Sequence, residues 1–406
     1  MLPPGAPLSA WLTWLETLHP DEIDLGLDRI QDVLGRLDIK RPDHVLLIAG
    51  TNGKGSSVAM ADALLRAAGR GVGVYSSPHI IDYNERISVG GSSAGDNEIV
   101  AAFEKVEAAR EGVSLTYFEY GTLAAFVVFS DADLDVWVLE VGMGGRLDAT
   151  NAIEPTAALI TNVALDHCDW LGNDIETIAA EKAGVMREGI PVVYGDARVP
   201  DTILAKAEET GARLLLRDRD YTLDDIPPPG LPGAFQVGNA AAVLALLRAA
   251  GLEDAATPEL AASVLPGVQL AARGQRIELD GVEWLLDVAH NQAAAEALAE
   301  ILGSAEQKTT TAIIGTLDDK DVEGIVGALD PHVSRWICVT AGSRRALPAA
   351  ELGRRIANAC NRPCLIADSL ADALDSARHD APKNDRILVT GSFYVVGPVL
   401  QLLRAY

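Results

Sequence analysis

The sequence is poor in aromatic residues, in cysteine and in positive charge. Aromatic residues make up 5% of the 406 residues, and 33 Lys and Arg stand against 58 Asp and Glu, a formal net charge of −25. Because such an acidic surface repels phosphate backbones, we expect no nucleic-acid partner. Any anion site must therefore be local, built from backbone N–H groups and a few selected cations.

The few cysteines argue against a disulfide framework and for a reducing compartment. They are Cys168, Cys338, Cys360 and Cys364. Cys360 and Cys364 are close enough in sequence to suggest a metal site, but no second Cys or His pair follows at a suitable spacing.

Long apolar runs are also missing. No run approaches the roughly 20 apolar residues that cross a bilayer. The N-terminal stretch MLPPGAPLSAWLTWLETLHP lacks the basic start and the long apolar run of a signal peptide. We therefore expect a cytoplasmic protein without a membrane partner.

Apolar runs alternate with helical patterns along the chain, which is typical of a parallel sheet covered by helices. A chain of 406 residues is too long for one ordinary core. We predict an α/β fold with two domains, residues 1–268 and 276–406, and a linker at about 264–275. The predicted strands are HVLLIA (44–49), GVGVYS, DVWVLEVG (135–142), TAALITNVA, PVVYG and ARLLL in the first domain, and VEWLLDVA, TTAIIGT, RWICVT, CLIA and RILVTG in the second.

A glycine-rich loop lies between the first strong strand and the helix that follows it. Its residues are Gly50, Thr51, Asn52, Gly53, Lys54, Gly55 and Ser56. Glycines let backbone N–H groups face an anion, the helix N-terminus adds a favourable dipole, and Lys54 supplies a positive charge. We predict that this loop binds the phosphates of ATP. The alternative is a merely tight strand-to-helix turn, because the string departs from GxxxxGK[ST].

Polar side chains follow three of the predicted strands. Ser77 follows GVGVYS, Glu140 ends an apolar strand, and His167 comes after TAALITNVA beside Asp166. Ligand sites of parallel α/β sheets lie at the carboxyl ends of the strands. Oxygen and nitrogen donors beside a phosphate loop suit Mg²⁺, although that ion prefers oxygen and a lone histidine is more often structural.

Several strings in order carry a family resemblance. GTNGKGS (50–56) resembles the shortened phosphate loop of the Mur ligase superfamily. With SSPHIIDYNERI (76–87), EVGMGGRLDATN (140–151), ALDHCDWLG (164–172), EKAG (181–184) and DVAHN (287–291), the chain resembles the bifunctional dihydrofolate synthase/folylpolyglutamate synthases. The resemblance implies an N-terminal P-loop Mur-ligase-type central domain that binds ATP and folate, and a smaller C-terminal Rossmann-like α/β glutamate-ligase domain.

The resemblance also implies an activity. It predicts an ATP-dependent ligase that joins L-glutamate to 7,8-dihydropteroate, giving dihydrofolate, and to reduced folates, through an acyl phosphate. Two Mg²⁺ ions are implied, with Ser77, Glu140, His167 and Lys182 as metal ligands and a carbamate on Lys182. Lys54, Lys182 and His167 are the predicted catalytic residues. Taken alone, Lys182 would be read as an ordinary solvated lysine on an amphipathic helix.

Further residues match the family's nucleotide and acid-substrate positions. Asn239, Arg273 and Asp287 are implied in nucleotide binding, although around Arg273 the sequence LPGVQLAARGQ departs from the family pattern. His290 and Asn291 extend the motif or cap the following helix. The implied dihydropteroate residues are Asp24, Leu25, Gly26, Thr116, Tyr117, Phe118, Glu119, Leu147, Asp148 and Ala149. The aromatic pair Tyr117 and Phe118 offers stacking surface for a flat pterin ring.

Three other functions compete with this interpretation. One is a folylpolyglutamate synthase without the dihydropteroate activity. Another is a Mur-type amino-acid ligase of cell-wall synthesis, which we disfavour because we find no additional N-terminal UDP-binding domain. The third is a regulatory nucleotide-binding switch, which would leave Glu140, His167 and Lys182 unexplained. From the family we expect a monomer.

Overall fold

The computed structural model describes residues 5–21, 23–360, 362, 364–379 and 385–403. The chain divides into two compact units. The first comprises Met1–Val163, Leu171–Pro229 and Val237–Val268, and the second Ala164–Trp170, Gly230–Gln236 and Gln269–Tyr406. The main change of unit falls at residue 268, inside the predicted linker. Two short segments of the earlier chain also belong to the second unit, which a division at one linker does not anticipate.

The first unit is built on an eight-stranded sheet. Its strands are β1 (His44–Ala49), β2 (Val72–Tyr75), β3 (Ile87–Val89), β4 (Ser92–Ser93), β5 (Val136–Glu140), β6 (Ala157–Ile160), β7 (Pro191–Tyr194) and β8 (Arg213–Leu216). Their order is β4-β3-β2-β5-β1-β6-β7-β8. Pairing is parallel from β2 to β8, and β3 and β4 are antiparallel.

The two central strands explain where polar side chains emerge. β1 is apolar and buried after its first residue, His44, and β5 is buried throughout and apolar up to its last residue, Glu140, as is typical of central strands in parallel sheets. Ile48 of β1 pairs with Glu140 of β5, so the loop after β1 and the carboxylate that ends β5 lie at the same edge of the sheet.

Helices flank this sheet. They are α1 (Leu8–Leu15), α2 (Asp28–Leu34), α3 (Lys54–Ala67), α4 (Asp96–Arg110), α5 (Tyr117–Asp131), α7 (Ile175–Ala183), α8 (Asp201–Thr210), α9 (Phe235–Ala249) and α10 (Pro258–Val264). The short helix α6 (Cys168–Leu171) belongs, up to Trp170, to the second unit. The scarce aromatic residues concentrate in the core of the first unit. Phe126 of α5 stacks on Trp137 of β5 at 5.8 Å between ring centroids, and Phe129 lies against the same indole. A buried pair of this kind contributes about 0.5–1.5 kcal/mol beyond the area that it buries.

The second unit contains a six-stranded sheet of order β13-β12-β11-β14-β10-β9. The strands are β9 (Gln275–Leu279), β10 (Val282–Leu286), β11 (Thr310–Ile314), β12 (Arg335–Cys338), β13 (Cys364–Ile366) and β14 (Arg386–Thr390), and the helices are α11 (Gln292–Ser304), α12 (Val322–Leu329), α13 (Ala349–Ala359), α14 (Leu370–His379) and α15 (Phe393–Leu403). All pairs are parallel except β9 with β10.

The α/β class and every predicted strand are confirmed. Three further strands, β3, β4 and β9, were not predicted because they are short or polar and lie at antiparallel edges. β9 begins at Gln275, where the sequence predicted the end of the linker. Over the described part of the chain, none of the helices combines the length and the apolar character needed to cross a bilayer.

Candidate functional site

The glycine loop that follows β1 has backbone angles that residues with a side chain rarely adopt. Gly50 has φ +143° and Gly53, which precedes α3, has φ +83°. A Cβ on Gly50 would stand 1.8 Å from the hydroxyl oxygen of Thr161. The sequence therefore needs glycine at Gly50 for close packing against β6 and at Gly53 for a left-handed turn.

Residues after β6 hold the loop in place. The N–H of Thr51 donates to the Asn162 carbonyl at 3.0 Å, and the N–H of Asn52 donates to the Asn162 side chain at 3.0 Å. The Thr161 hydroxyl donates to the Asn52 carbonyl at 2.6 Å. Sequence reasoning missed Thr161 and Asn162; their position directly after a buried parallel strand was the available signal.

Lys54 and Asn239 complete the loop. The Lys54 ammonium donates to the carbonyls of Gly50 and Thr51 at 3.0 and 3.1 Å. Asn239, on α9, lies so close to the loop that a Cβ on Gly53 would stand 3.0 Å from its side-chain oxygen. Two predicted nucleotide residues that lie far apart in sequence thus meet at the N-terminus of α3, a position that favours anions.

Two of the predicted metal ligands lie together in the first unit. The backbone N–H of Ser77 donates to the Glu140 carboxylate at 3.2 Å, and Glu140 is only 4% exposed. Lys182, on α7, is 3% exposed, so it is not the solvated lysine that its helix pattern alone suggests.

His167 belongs to the second unit. Its backbone has φ +51°, and its N–H donates to Asp166 at 2.9 Å. No group of three or more His, Cys, Asp or Glu side chains that could hold a metal occurs among the described residues. The predicted ligand set does not require one, since only Glu140 and His167 are of those types.

Asp166 is a buried hub of the second unit. It accepts hydrogen bonds from the Lys320 ammonium at 2.8 Å and the Asn291 side chain at 2.9 Å, and the His290 imidazole lies at 3.2 Å. Burial alone would raise the pKa of Asp166, but the hydrogen bond and charge of His290, with His167 and Lys320, hold it well below its usual range.

The alternative role of His290 and Asn291 is confirmed for one of the two. Asn291 caps α11, with its side-chain oxygen accepting from the N–H of Ala294 at 2.9 Å. His290 instead bonds through Nδ1 to the Val288 carbonyl at 2.9 Å.

Arg273 and Asp287 come together in the second unit. The Asp287 carboxylate accepts from the N–H groups of Gly274 at 2.7 Å and Ala289 at 2.8 Å, which fastens the turn that carries Arg273. Burial raises the pKa of Asp287, and the nearby Arg273 charge opposes that shift. The Asp287 carboxylate therefore stabilises this turn, whether or not it also contacts a nucleotide.

The predicted acid-substrate residues converge in the first unit around the start of α5. Thr116 caps α5 and forms a reciprocal capping box with Glu119. Arg29 joins two of the predicted segments, with its guanidinium 2.6 Å from Asp24 and 3.2 Å from Glu119. Sequence reasoning missed Arg29. Leu25, Gly26 and Leu147 are half-buried, and Ala149 is buried.

Asp148 is the most enclosed of these residues, at 2% exposure. Its carboxylate accepts from the Met143 N–H at 2.8 Å and from the Thr150 N–H and hydroxyl at 3.0 and 2.6 Å. Burial raises its pKa, while these hydrogen bonds and the Lys54 charge oppose the shift. A Cβ on Gly142 would lie 3.1 Å from the Asp148 carboxylate and 2.6 Å from the Phe118 ring, so Gly142 spaces the two side chains.

An aromatic cluster lies beside Asp148. Phe118 lies 5.8 Å from Tyr75 and Tyr117 lies 5.8 Å from Tyr83, between ring centroids. Arg86 packs over two of these rings and donates through Nε to His79 Nδ1 at 2.8 Å.

The imidazole of His79 is neutral near pH 7. Burial, with the adjacent Arg86 charge, lowers the pKa of His79 to about 4. A neutral ring can accept the hydrogen bond from Arg86. Sequence reasoning assigned no role to either residue.

Comparisons with known proteins identify the family of the chain. Residues 48–220 match the Mur ligase middle domain, and residues 272–393 match the Mur ligase, glutamate ligase domain. The dihydrofolate synthase/folylpolyglutamate synthase of Escherichia coli is 41% identical over 423 residues, covering 99% of this chain and 96% of that protein. The protein of the same name from Haemophilus influenzae is 38% identical, with 96% of each chain covered.

Solved structures show the same fold over the whole chain. E. coli FolC in complex with DHPP and ADP superposes with a TM-score of 0.92 at 39% identity, covering 100% of this chain and 99% of that one. The Yersinia pestis bifunctional folylpolyglutamate synthase/dihydrofolate synthase complexed with AMPPNP and Mn ion gives 0.90 at 38% identity, with 100% of both covered. The chain therefore belongs to the dihydrofolate synthase/folylpolyglutamate synthase family, ligases built from Mur ligase domains.

Proposed function

We propose that the loop of residues 50–56 holds the ATP phosphates in this ATP-dependent ligase, which joins L-glutamate to 7,8-dihydropteroate and to reduced folates. The observation that carries the proposal is the left-handed turn at Gly53, with Lys54 folded onto the loop and Asn239 against it. Backbone N–H groups and one ammonium at a helix N-terminus suit a polyphosphate. Arg273 and Asp287 are the further residues that we assign to the nucleotide.

The acid substrate is assigned to the surroundings of α5. Asp24, Leu25, Gly26, Thr116, Tyr117, Phe118, Glu119, Leu147, Asp148 and Ala149 carry this assignment. Its support is that three segments distant in sequence meet there, and that aromatic faces lie beside buried polar groups. A flat pterin ring with a polar edge needs both kinds of surface.

The residues present fit Mg²⁺. Ser77 and Glu140 lie next to each other in the first unit, and their side-chain oxygens can coordinate a metal ion, so we assign both residues to Mg²⁺. His167 and a carbamylated Lys182 are the further metal ligands that we assign. Burial of Lys182 supports this, because an ammonium is costly to bury and only the neutral amine adds CO₂, forming an N–C bond and releasing one proton. Bound Mg²⁺ supplies charge neutralisation and polarises phosphoryl oxygens.

The reaction proceeds in two steps. A carboxylate oxygen of the acid attacks the γ-phosphorus, so that ADP leaves and an acyl phosphate forms. The amine of glutamate then attacks the acyl carbon, phosphate leaves with the C–O bonding electrons, and the amine loses a proton. Phosphoryl transfer depends on positioning and charge neutralisation, to which Lys54 contributes.

Isotope transfer tests the acyl phosphate. Dihydropteroate labelled with ¹⁸O in its carboxylate is incubated with the enzyme, ATP and glutamate, and the released phosphate is analysed by mass spectrometry. We expect one labelled oxygen in each phosphate for each dihydrofolate formed. Unlabelled phosphate accompanying full product formation would contradict this mechanism. A cytoplasmic location and a monomeric state stay predictions.

A further inference from the structure

Arg86 is a half-buried cation at the edge of the acid-substrate region. It ends the 3₁₀-helix Tyr83–Arg86, between β2 and β3. Across the described ranges, no Asp or Glu oxygen lies within ion-pair distance of its guanidinium. The neighbouring carboxylate of Glu85 is instead occupied by the backbone N–H groups of Ile80, Ile81 and Asp82, at 2.7–2.8 Å.

The guanidinium is nevertheless held in one place. Its Nε donates to Nδ1 of His79 at 2.8 Å, and its central carbon lies 5.6 Å from the Tyr83 ring centroid and 5.7 Å from that of Tyr117. Since an arginine only donates, Nδ1 of His79 must be an unprotonated acceptor. These contacts use Nε and the flat surface of the guanidinium, and the guanidinium also lies within hydrogen-bonding reach of the Tyr75 hydroxyl. The N–H groups of the terminal nitrogens that remain can donate to an anion.

Neighbouring contacts relate Arg86 to both ends of the proposed substrate site. Its carbonyl accepts from the N–H of Ser76 at 3.0 Å, directly before the proposed metal ligand Ser77. Its charge also acts on the hydroxyl of Tyr75, whose ring lies against Phe118 and which feels the charge of Asp148. Arg86 thus has neighbours among the aromatic residues assigned to the pterin ring and beside the residue assigned to metal.

We propose that Arg86 binds the carboxylate of the acid substrate and orients it before phosphoryl transfer. The proposal rests on the proposed acid site around Asp148. A planar guanidinium that is fixed by an imidazole and two aromatic faces presents two parallel donors, and a carboxylate has two acceptors at the matching spacing. The pteroyl benzoate offers that group, which the pterin ring lacks.

The test changes the arginine and the ligand's carboxylate separately and together, and compares the binding affinities. Pteroic acid and its primary amide are titrated calorimetrically, without nucleotide or metal, into wild-type protein, Arg86→Met and Arg86→Lys. We expect the wild type to bind the acid about 10- to 100-fold more tightly than the amide, a ratio typical of hydrogen bonds to charged groups. Arg86→Met should bring the ratio to about one, while the affinity for the amide stays unchanged.

Controls separate this role from a structural one. Arg36→Met removes an exposed arginine that pairs with Asp32 and should leave the ratio at its wild-type value. Arg86→Lys keeps the charge without the parallel N–H donors and should give an intermediate ratio, which serves if Arg86→Met does not fold. In steady state, Arg86→Met should raise the KM for dihydropteroate and leave the KM for ATP unchanged.

Three outcomes would overturn the proposal. Equal weakening of acid and amide in Arg86→Met would mean that the residue only supports the fold. A wild-type protein that does not distinguish acid from amide would mean that Arg86 does not bind the carboxylate. Wild-type protein that binds neither ligand would refute the acid site itself. That result differs from a failure of the Arg86 proposal, because it is seen without any variant.

Discussion

Replacing Asp148 by asparagine tests the acid site and its scaffold together. The carboxylate accepts three hydrogen bonds, a part-buried one from Met143 and two buried ones from Thr150. An asparagine oxygen can keep both bonds from Thr150, but its amide nitrogen would face the N–H of Met143, donor against donor. The part-buried N–H of Met143 is left without its acceptor, which costs about 1–3 kcal/mol.

That loss translates into a modest fall in thermal stability. For a domain of roughly 150–250 residues, each kcal/mol lowers the Tm by about 2–4 °C. Asp148→Asn should therefore melt roughly 2–12 °C below wild type, and Asp148→Ala, which loses all three bonds, lower still. Asp131→Asn, at an exposed surface pair with Lys105, is the matched control and should leave the Tm unchanged within about 1 °C.

The activity of the same variant separates scaffold from recognition. The kcat/KM is measured with dihydropteroate and with a reduced folate, well below the Tm of the variant. If Asp148 reads the pterin edge of dihydropteroate, dihydropteroate ligation should fall by a further factor of about 5–150, from a lost hydrogen bond of about 1–3 kcal/mol. Equal losses with both acids would refute selective recognition and leave Asp148 a structural residue.

Substitutions at three other residues have distinct outcomes. Lys54→Ala should abolish ligation of both acids while the Tm stays near that of the control Lys206→Ala; near-normal turnover in the folded variant would remove the nucleotide from this loop. Lys182→Ala should lose activity and regain part of it with formate, and Lys182→Arg should stay inactive. Wild-type protein given ¹³CO₂ should show a carbamate signal in ¹³C NMR. An unmodified Lys182 amine with metals and CO₂ present would contradict the carbamate. Burial raises the pKa of Glu283, but hydrogen bonds from Arg386 and Lys308 outweigh it and leave the pKa lowered. Its stabilisation is therefore present above the unfolded pKa of about 4.5 and lost as the pH falls below it. Glu283→Gln should lower stability at pH 7 and flatten the loss on acidification, and an unchanged slope would contradict this.

The strands that could be predicted are those whose burial leaves a mark in the sequence. β1 runs from His44 to Ala49 as predicted, because a strand buried on both faces in a parallel sheet is a continuous apolar run. β9, with the residues QRIEL, is an exposed edge whose mixed polarity resembles a linker.

The site was predictable as a set of side chains but not as a set of contacts. The phosphate loop and Glu140 lie where strand ends predicted them. Their supports come from distant parts of the chain: Lys320 reaches Asp166 across 154 residues, and Arg29 reaches Glu119 across 90. No local pattern encodes such pairs. They follow only from the sheet order and the loops that the sheet brings together.

The most direct test of the account is the dependence of phosphate release on both co-substrates. Purified protein is given ATP, Mg²⁺ and dihydropteroate, with and without L-glutamate, and phosphate and dihydrofolate are quantified together. We expect one phosphate for each dihydrofolate, with sustained turnover only when both the acid and glutamate are present. Sustained ATP hydrolysis that is indifferent to both and yields no dihydrofolate would contradict it and favour a nucleotide-binding switch.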